Sequence, residues 1–446
     1  MRVAIVQPEF PFSGRPPLVP PILEYLGALT LQADPDAEVL LLDANQRAID
    51  LEALRVDLVA VSVWTVTAPW SYRFADACRA RGLRVVLGGV HPTALPGEAA
   101  CHADAVVVGE AESCWGEVLR DARAGRLAPR YHGVPLPLDR IPVPMDGRLA
   151  GNYRFRGVFT MRGCPYRCTF CNVHRLFGNE ARLRPIPEVV REVETRCGRV
   201  WFNGDDNIWG SDVDRTIALY EELARGSRKS WYGLGDLRSL QGPKAERLLR
   251  AARRSGLCSV WVGWESDSGE TLRAYGAWGK QGQDRLAALQ RLRDHGLDVV
   301  LLMVLGGRTD AYASFQQALE LSDRLGLAAH PALVTPFPGT ELYEAYRPHL
   351  LPGTTWDQFT GTRALFEHPD PAMTPARREA AYHQLCEELY RPGRVARRIL
   401  GLPLSGFPTV HLLSLMKQVP IGRAHRTARR AWLAEQGAGR SDPAGA

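Results

Sequence analysis

No segment of the 446 residues reaches the ~18 uninterrupted apolar residues that a membrane-spanning helix requires. The opening MRVAIVQPEF has one basic residue and an apolar run that ends at Pro8, too brief for a secretory core. A cytoplasmic location is therefore expected. Excess charge is lacking too: 55 Lys and Arg stand against 49 Asp and Glu, and the resulting +6 does not by itself imply nucleic acid. No repeat recurs at a period of ~20–50 residues, so solenoids and propellers are excluded. Acidic residues are wholly absent from positions 391–430, where nine Lys and Arg fall, so what charge asymmetry exists is local. Cysteines are few, nine in all. In a reducing compartment such residues stay thiols, and a cluster of them reads as metal binding or catalysis before disulfides.

What is present is an ordinary globular composition, 45% hydrophobic and 23% charged, over a length that implies two or three domains. Short apolar runs at 2–7, 38–43, 56–63, 84–89 and 105–109 alternate with helix-length segments. That pattern predicts a doubly wound, Rossmann-like α/β domain with a parallel sheet covered on both faces, spanning 1–128. Strands ending in Ser62 and Thr65, Gly88 and Gly89, or Gly109 and Glu110 put tight loops at the carboxyl edge, where such sheets bind ligands. Five prolines between 129 and 144 predict a linker over 129–152. Six further βα units follow, with strands at 156–161, 199–203, 230–235, 258–265, 297–306 and 327–335. They predict a partial barrel over 153–340, with its chemistry on the loops after the strands. Residues 341–446 read as a helical, basic region.

Immediately after the first barrel strand comes MRGCPYRCTFCN, 161–172, with Cys164, Cys168 and Cys171 spaced C-x3-C-x2-C. Thiolates suit an iron–sulfur cluster or zinc, and three of them on a four-iron cubane leave one iron open for a ligand. A zinc site completed by His174 is the plainer alternative, although four ligands within eleven residues strain a tetrahedron.

This loop resembles the signature of the radical S-adenosylmethionine superfamily, and residues 1–145, especially GGVHPTALPGEA with AVVVGEAE, are similar to the cobalamin-binding domain fused to one of its branches. The resemblance implies a [4Fe-4S] cluster on Cys164, Cys168 and Cys171, with S-adenosylmethionine on the open iron and cobalamin on the first domain. It further implies reductive cleavage to a 5′-deoxyadenosyl radical. By the same resemblance Phe170 packs near the adenine, while Asp205 and Asp206 accept from the methionine ammonium. An N-cap role for that acidic pair is the alternative. Glu265 and Ser266 match the element that contacts ribose or methionine, and Asp236 and Arg238 match a partner for the ligand carboxylate or form a surface salt bridge. In the first domain Ser62, Trp64 and Thr65 would face the lower side of the corrin, and Gly88, Gly89, Gly109 and Glu110 would hold its nucleotide tail. There is no Asp-x-His-x-x-Gly, so His91 is the nearest candidate for an axial ligand, against an ordinary hydrogen-bonding role.

The function implied is methyl transfer from methylcobalamin to an unactivated carbon of a small metabolite, with an electron donor of flavodoxin or ferredoxin type. Cobalamin-dependent ring formation, like that of the anaerobic cyclase of chlorophyll synthesis, is the alternative within the branch. A non-catalytic cobalamin or zinc-dependent sensor is the alternative of another class. No nucleic-acid partner is expected, and the basic tail reads as a solvated helical face before a membrane contact.

Overall fold

A computed structural model of the protein describes residues 1–11, 18–145, 149, 151, 153–227, 229–277, 284–402, 404 and 408–438. The first sheet contains β1 (Arg2–Gln7), β2 (Glu38–Asp43), β3 (Leu58–Ser62), β4 (Arg84–Gly88), β5 (Ala105–Val108) and β6 (Arg130–His132), in the order β2-β1-β3-β4-β5-β6. Every neighbouring pair is parallel. Successive residues of β1 enter different cores: Val3 and Ile5 join Leu58 and Trp115 on one face, and Ala4 and Val6 join Val59 and Tyr72 on the other. Burial on both faces is why the strand is apolar throughout rather than alternating.

β6 corrects the expected linker. It lies within 129–152, yet Val106 N donates to Pro129 O (3.1 Å) and buried Tyr131 donates to Asp121 at 2.8 Å. Pro129 is tolerated because an edge strand needs donors on one side only. The first domain therefore continues to about residue 133.

The second sheet is also wholly parallel. It contains β7 (Gly157–Val158), β10 (Val200–Asn203), β11 (Ser230–Gly235), β12 (Leu257–Glu265), β13 (Asp298–Leu305) and β14 (Ala328–Leu333), side by side in that order. The expected strand 156–161 is cut short after Val158, because Thr160 N and Met161 N donate to the Asp205 carboxylate instead of to a neighbouring strand. A separate antiparallel ribbon, β8 (Met161–Arg162) with β9 (Arg182–Leu183), then brackets the cysteines.

The region after 340, read from sequence as helical and basic, is not helical throughout and packs onto the barrel. Residues 347–373 form short turns and loops, and Leu333 N bonds to Gly361 O at 2.7 Å. Tyr382, Leu385, Cys386, Leu389, Tyr390 and Val395, from helices Pro375–Leu389 and Pro392–Leu400 and the join between them, share one core with β12 to β14. The last helix, Thr409–Ala438, is pinned to the barrel by Lys417, whose Nζ lies 2.6 Å from Asp298 Oδ2.

Two imidazoles, His383 of helix Pro375–Leu389 and His425 of the last helix, are held neutral. Burial depresses His383 and His425 to about 4 each, and the nearby Arg363 and His330 respectively act in the same sense. A histidine whose folded pKa lies below its unfolded value of about 6.5 takes up protons preferentially in the unfolded chain. Stability is then complete above pH 6.5 and falls as pH drops toward 4. Thermal midpoints measured from pH 7.5 to 4.5 should show this loss, and a His383→Gln/His425→Gln variant should have a flatter profile over that window; equal slopes would refute the assignment.

Candidate functional site

The cysteine loop is held on every side. Thr169 N donates to Tyr275 O (3.0 Å), Leu342 N donates to Thr169 O (2.9 Å), and Asn172 Nδ2 donates to Pro338 O (3.2 Å). Gly163, at φ +92°, turns the chain into the loop, and a Cβ there would meet Glu180 O at 2.4 Å, so only glycine fits. Cys168 is buried, and Cys164 and Cys171 are half-buried. Burial pushes the Cys164 thiol up to about 11 and the Cys171 thiol to about 12, and the Cys168 sulfur adds to both. The three sulfurs thus share one electrostatic neighbourhood. Among the described residues no three His, Cys, Asp or Glu side chains converge on a single ion. A cubane asks for less, since it places each ligand on its own iron. Three soft donors on one rigid loop fit such a cluster, and iron would displace their protons.

The adjacent acids separate into two roles. Asp205 is fully buried and accepts from Thr160 N (2.6 Å), Thr160 Oγ1 (2.6 Å) and Met161 N (3.0 Å). Both its oxygens are committed to the entry of the cysteine loop, so it is not the expected acceptor for a ligand ammonium, nor does it cap a helix. Burial raises its pKa to about 6, opposed by those three bonds. Asp206 instead presents an exposed side chain, while crowding around its carboxyl and the neighbouring Asp205 charge push it up to about 7. An exposed yet desolvated carboxylate beside the cysteines is placed to gain from a cation.

Asp236 accepts from Asn207 Nδ2 (2.6 Å), Ser239 N (2.8 Å) and Ser239 Oγ (2.9 Å), and it also engages the hydroxyl of Tyr166 inside the cysteine loop. It is therefore saturated and braces the loop rather than pairing with a ligand. Arg238 is exposed and forms no ion pair among the described residues, which removes the expected salt bridge. Phe170 stands edge-on to Tyr275, with centroids 5.6 Å apart.

Glu265 carries the one positive φ, +61°, of any described non-glycine residue, at a break in the β12–β13 register. Left-handed backbone costs roughly 1–2 kcal/mol outside glycine, and such strain persists where neighbours enforce it. Here the enforcer is Arg285: it stacks 3.4 Å over Trp264 and donates to Trp264 O (2.6 Å) and Ser266 O (3.2 Å). Both Glu265 and Ser266 are buried at this corner. Glu265→Gly relieves the left-handed strain and removes the carboxylate, and is expected to abolish ligand binding. Unchanged S-adenosylmethionine affinity would refute a functional origin of the strain. Arg285, Asn207 and Tyr166 escaped the sequence reading; nothing local to Arg285 signals its role, whereas Tyr166 lies inside the cysteine motif and Asn207 directly follows the Asp205–Asp206 pair.

In the first domain several expectations change. His91 is 0% exposed, with Nδ1 at 3.3 Å from Thr65 Oγ1 and Nε2 at 3.3 Å from Glu98 Oε1. With both nitrogens engaged it is a hydrogen-bonding group and not an axial ligand, and Thr65 is likewise buried and occupied. Gly89 and Gly109, at φ +102° and +88°, serve their own chain, since a Cβ would strike Val63 N at 2.9 Å or Gly133 O at 2.4 Å. Gly88 meets only ordinary contact with Val107. Ser62 is half-exposed and Trp64 is 51% exposed, so these two are the edge residues still open.

Glu110 proves to be a bridge. Its buried carboxylate pairs with Arg162 Nη1 (3.0 Å) and Arg182 Nη1 (3.1 Å) of the β8–β9 ribbon, and Glu112 joins Arg162 at 2.5 Å. A second bridge runs from Trp356 Nε1 to Glu98 Oε1 (2.8 Å), and at a third point a Cβ on Gly339 would lie 3.0 Å from Ala94. The loops after β4 and β5 therefore abut those that frame the cysteines, so the carboxyl-edge loops of the two sheets meet.

Residues 158–321 match the model of the radical SAM superfamily, and residues 20–119 match that of the B12 binding domain. This chain is a radical SAM protein with a B12-binding domain. It is 27% identical over 365 residues, 78% of either chain, to the bacteriochlorophyllide d C-12(1)-methyltransferase of Chlorobaculum tepidum. It is 26% identical over 369 residues to the C-8(2)-methyltransferase of the same organism, covering 77% of this chain and 80% of the relative. Its fold is that of the radical SAM methyltransferase TsrM from Kitasatospora setae solved with cobalamin and a [4Fe-4S] cluster: TM-score 0.66 at 16% identity, covering 96% of this chain and 99% of that one. A [4Fe-4S] cluster, S-adenosylmethionine and cobalamin are thus the cofactors of this radical SAM enzyme, and its two domains are those anticipated from the cysteine loop and the glycine-edged sheet. No helix among the described residues is long and apolar enough to cross a membrane.

Proposed function

We propose that this enzyme methylates an unactivated carbon of a small, largely planar molecule held in the cleft between the two sheets, in the manner of the bacteriochlorophyllide methyltransferases. The observation that carries the reading is the meeting of the two carboxyl edges through Glu110, Trp356 and Gly339. A reaction that uses two cofactors on one substrate needs both within reach of a single cavity. Bound there, the cluster supplies the electron that cleaves S-adenosylmethionine, and the cobalamin carries the methyl group.

The chain's own contribution is placement. Asp206 receives the methionine ammonium, exposed Arg238 its carboxylate, and the strained Glu265–Ser266 corner the ribose, with Phe170 bordering the adenine. Trp64 offers a flat apolar face on the cobalamin side, beside Ser62. No side chain needs to act as a general acid or base. A flavodoxin or ferredoxin serves as reductant, and the reaction takes place in the cytoplasm.

The test is an anaerobic incubation of reconstituted enzyme with methyl-labelled S-adenosylmethionine and a bacteriochlorophyllide lacking the C-12 side-chain methyl. A product heavier by one labelled CH2, with S-adenosylhomocysteine and 5′-deoxyadenosine both formed, supports the reading. Deoxyadenosine with an unlabelled, oxidised product would replace it with ring formation.

A further inference from the structure

The acid-free stretch 391–430 spans helix Pro392–Leu400 and most of helix Thr409–Ala438. Its cations are not equally free. Arg394 pairs with Asp323 and Glu388, Arg391 with Glu388, Arg429 with Glu387, and Lys417 with Asp298, while Arg398 is buried. Arg397, Arg423, Arg426 and Arg430 remain exposed, with no ion pair among the described residues.

Beside them the surface is apolar. Leu400, at the end of helix Pro392–Leu400, and Leu404, just after it, are each 83% exposed, and Leu412, Leu415 and Met416 project from the start of the last helix. The steps from Leu412 through Met416, Arg423 and Arg426 to Arg430 are four, seven, three and four residues, so one helical face is apolar at its start and cationic farther on. The opposite face is fixed: Val410, Ser414 and Gln418 are buried, and Lys417 reaches Asp298. A solvated helical face accounts for the arginines but not for five large apolar side chains exposed within seventeen residues of one another.

We propose that this face seats in the plane of an anionic lipid surface, its leucines entering the boundary between headgroups and acyl chains while the four arginines meet the headgroup charge. Charge complementarity selects this occupant. A two-fold contact with a second copy would oppose arginine to arginine, and nucleic acid would use the arginines while leaving the leucines in water.

The reconstituted full-length enzyme is floated with vesicles of phosphatidylcholine alone, or mixed with phosphatidylglycerol. It should float with the mixed vesicles only, and less so as salt rises. Leu412→Ser/Leu415→Ser is expected to weaken partitioning roughly tenfold, and Arg423→Gln/Arg426→Gln roughly fivefold for each arginine. Leu404→Ser gives an independent reading should either double variant misfold. No flotation, or equal flotation of wild type and folded variants, would overturn the proposal. So would a wild-type dimer that the leucine variant converts to monomer, or RNA binding that the leucine variant leaves intact.

Discussion

Replacing Cys168 with alanine should reduce iron and sulfide in the reconstituted protein to background, with loss of the broad visible absorption of a cluster and of all reductive cleavage of S-adenosylmethionine. Cys164→Ala and Cys171→Ala should do the same, because a cubane with two protein ligands has lost the arrangement that leaves one iron open to substrate. The control is Cys101→Ser, an exposed thiol outside the loop. It should load normally. The protein should remain folded in every case, since the loop is tied down through Thr169, Leu342 and Asn172. Full iron content in the Cys168 variant would remove the site.

The second large effect separates two neighbouring acids. Asp205→Ala orphans two backbone amides and a hydroxyl inside the barrel, at about 1–3 kcal/mol for each buried group left unsatisfied. It should lower the melting temperature steeply and prevent iron loading as a consequence. Asp206→Asn removes a crowded carboxylate beside another acid, so stability should stay level or rise. Folded-state pKa values raised above the unfolded value mean that the charged form costs stability as pH rises through that range, which sets the sign. Affinity for S-adenosylmethionine should nevertheless fall at least about tenfold with the loss of one charge-assisted contact. Calorimetry on both variants decides: matching profiles for the two would show that the acids act together, contrary to the division of labour read from their contacts.

Much of this was legible from sequence because the signals are local. The C-x3-C-x2-C loop is eight residues long, and strands 2–7, 38–43 and 230–235 have the bounds observed. β6 was missed because prolines dominate its surroundings, and only the partner strand reveals that an edge position tolerates them. His91 has the hydrogen-bonding role that a lone loop histidine favours, whereas Glu110 was placed at the carboxyl edge and given the wrong task. The arginines that claim Glu110 lie 52 and 72 residues away, and no local pattern foretells them.

From residue order came the two α/β units, the thiol triad and the acid-free tail, while the cofactor set came from the resemblance of the cysteine loop and the first domain to a known family. The first three follow from periodicity and spacing, which short-range sterics translate directly into strands, helices and a ligand loop. Tertiary structure decided which of two adjacent aspartates stays exposed, why Glu265 tolerates a left-handed backbone, how the loops at the two carboxyl edges come to meet, and which face of the final helix stays bare. Each of those depends on contacts between residues far apart in the chain, where burial and hydrogen-bond satisfaction, rather than local propensity, select the outcome.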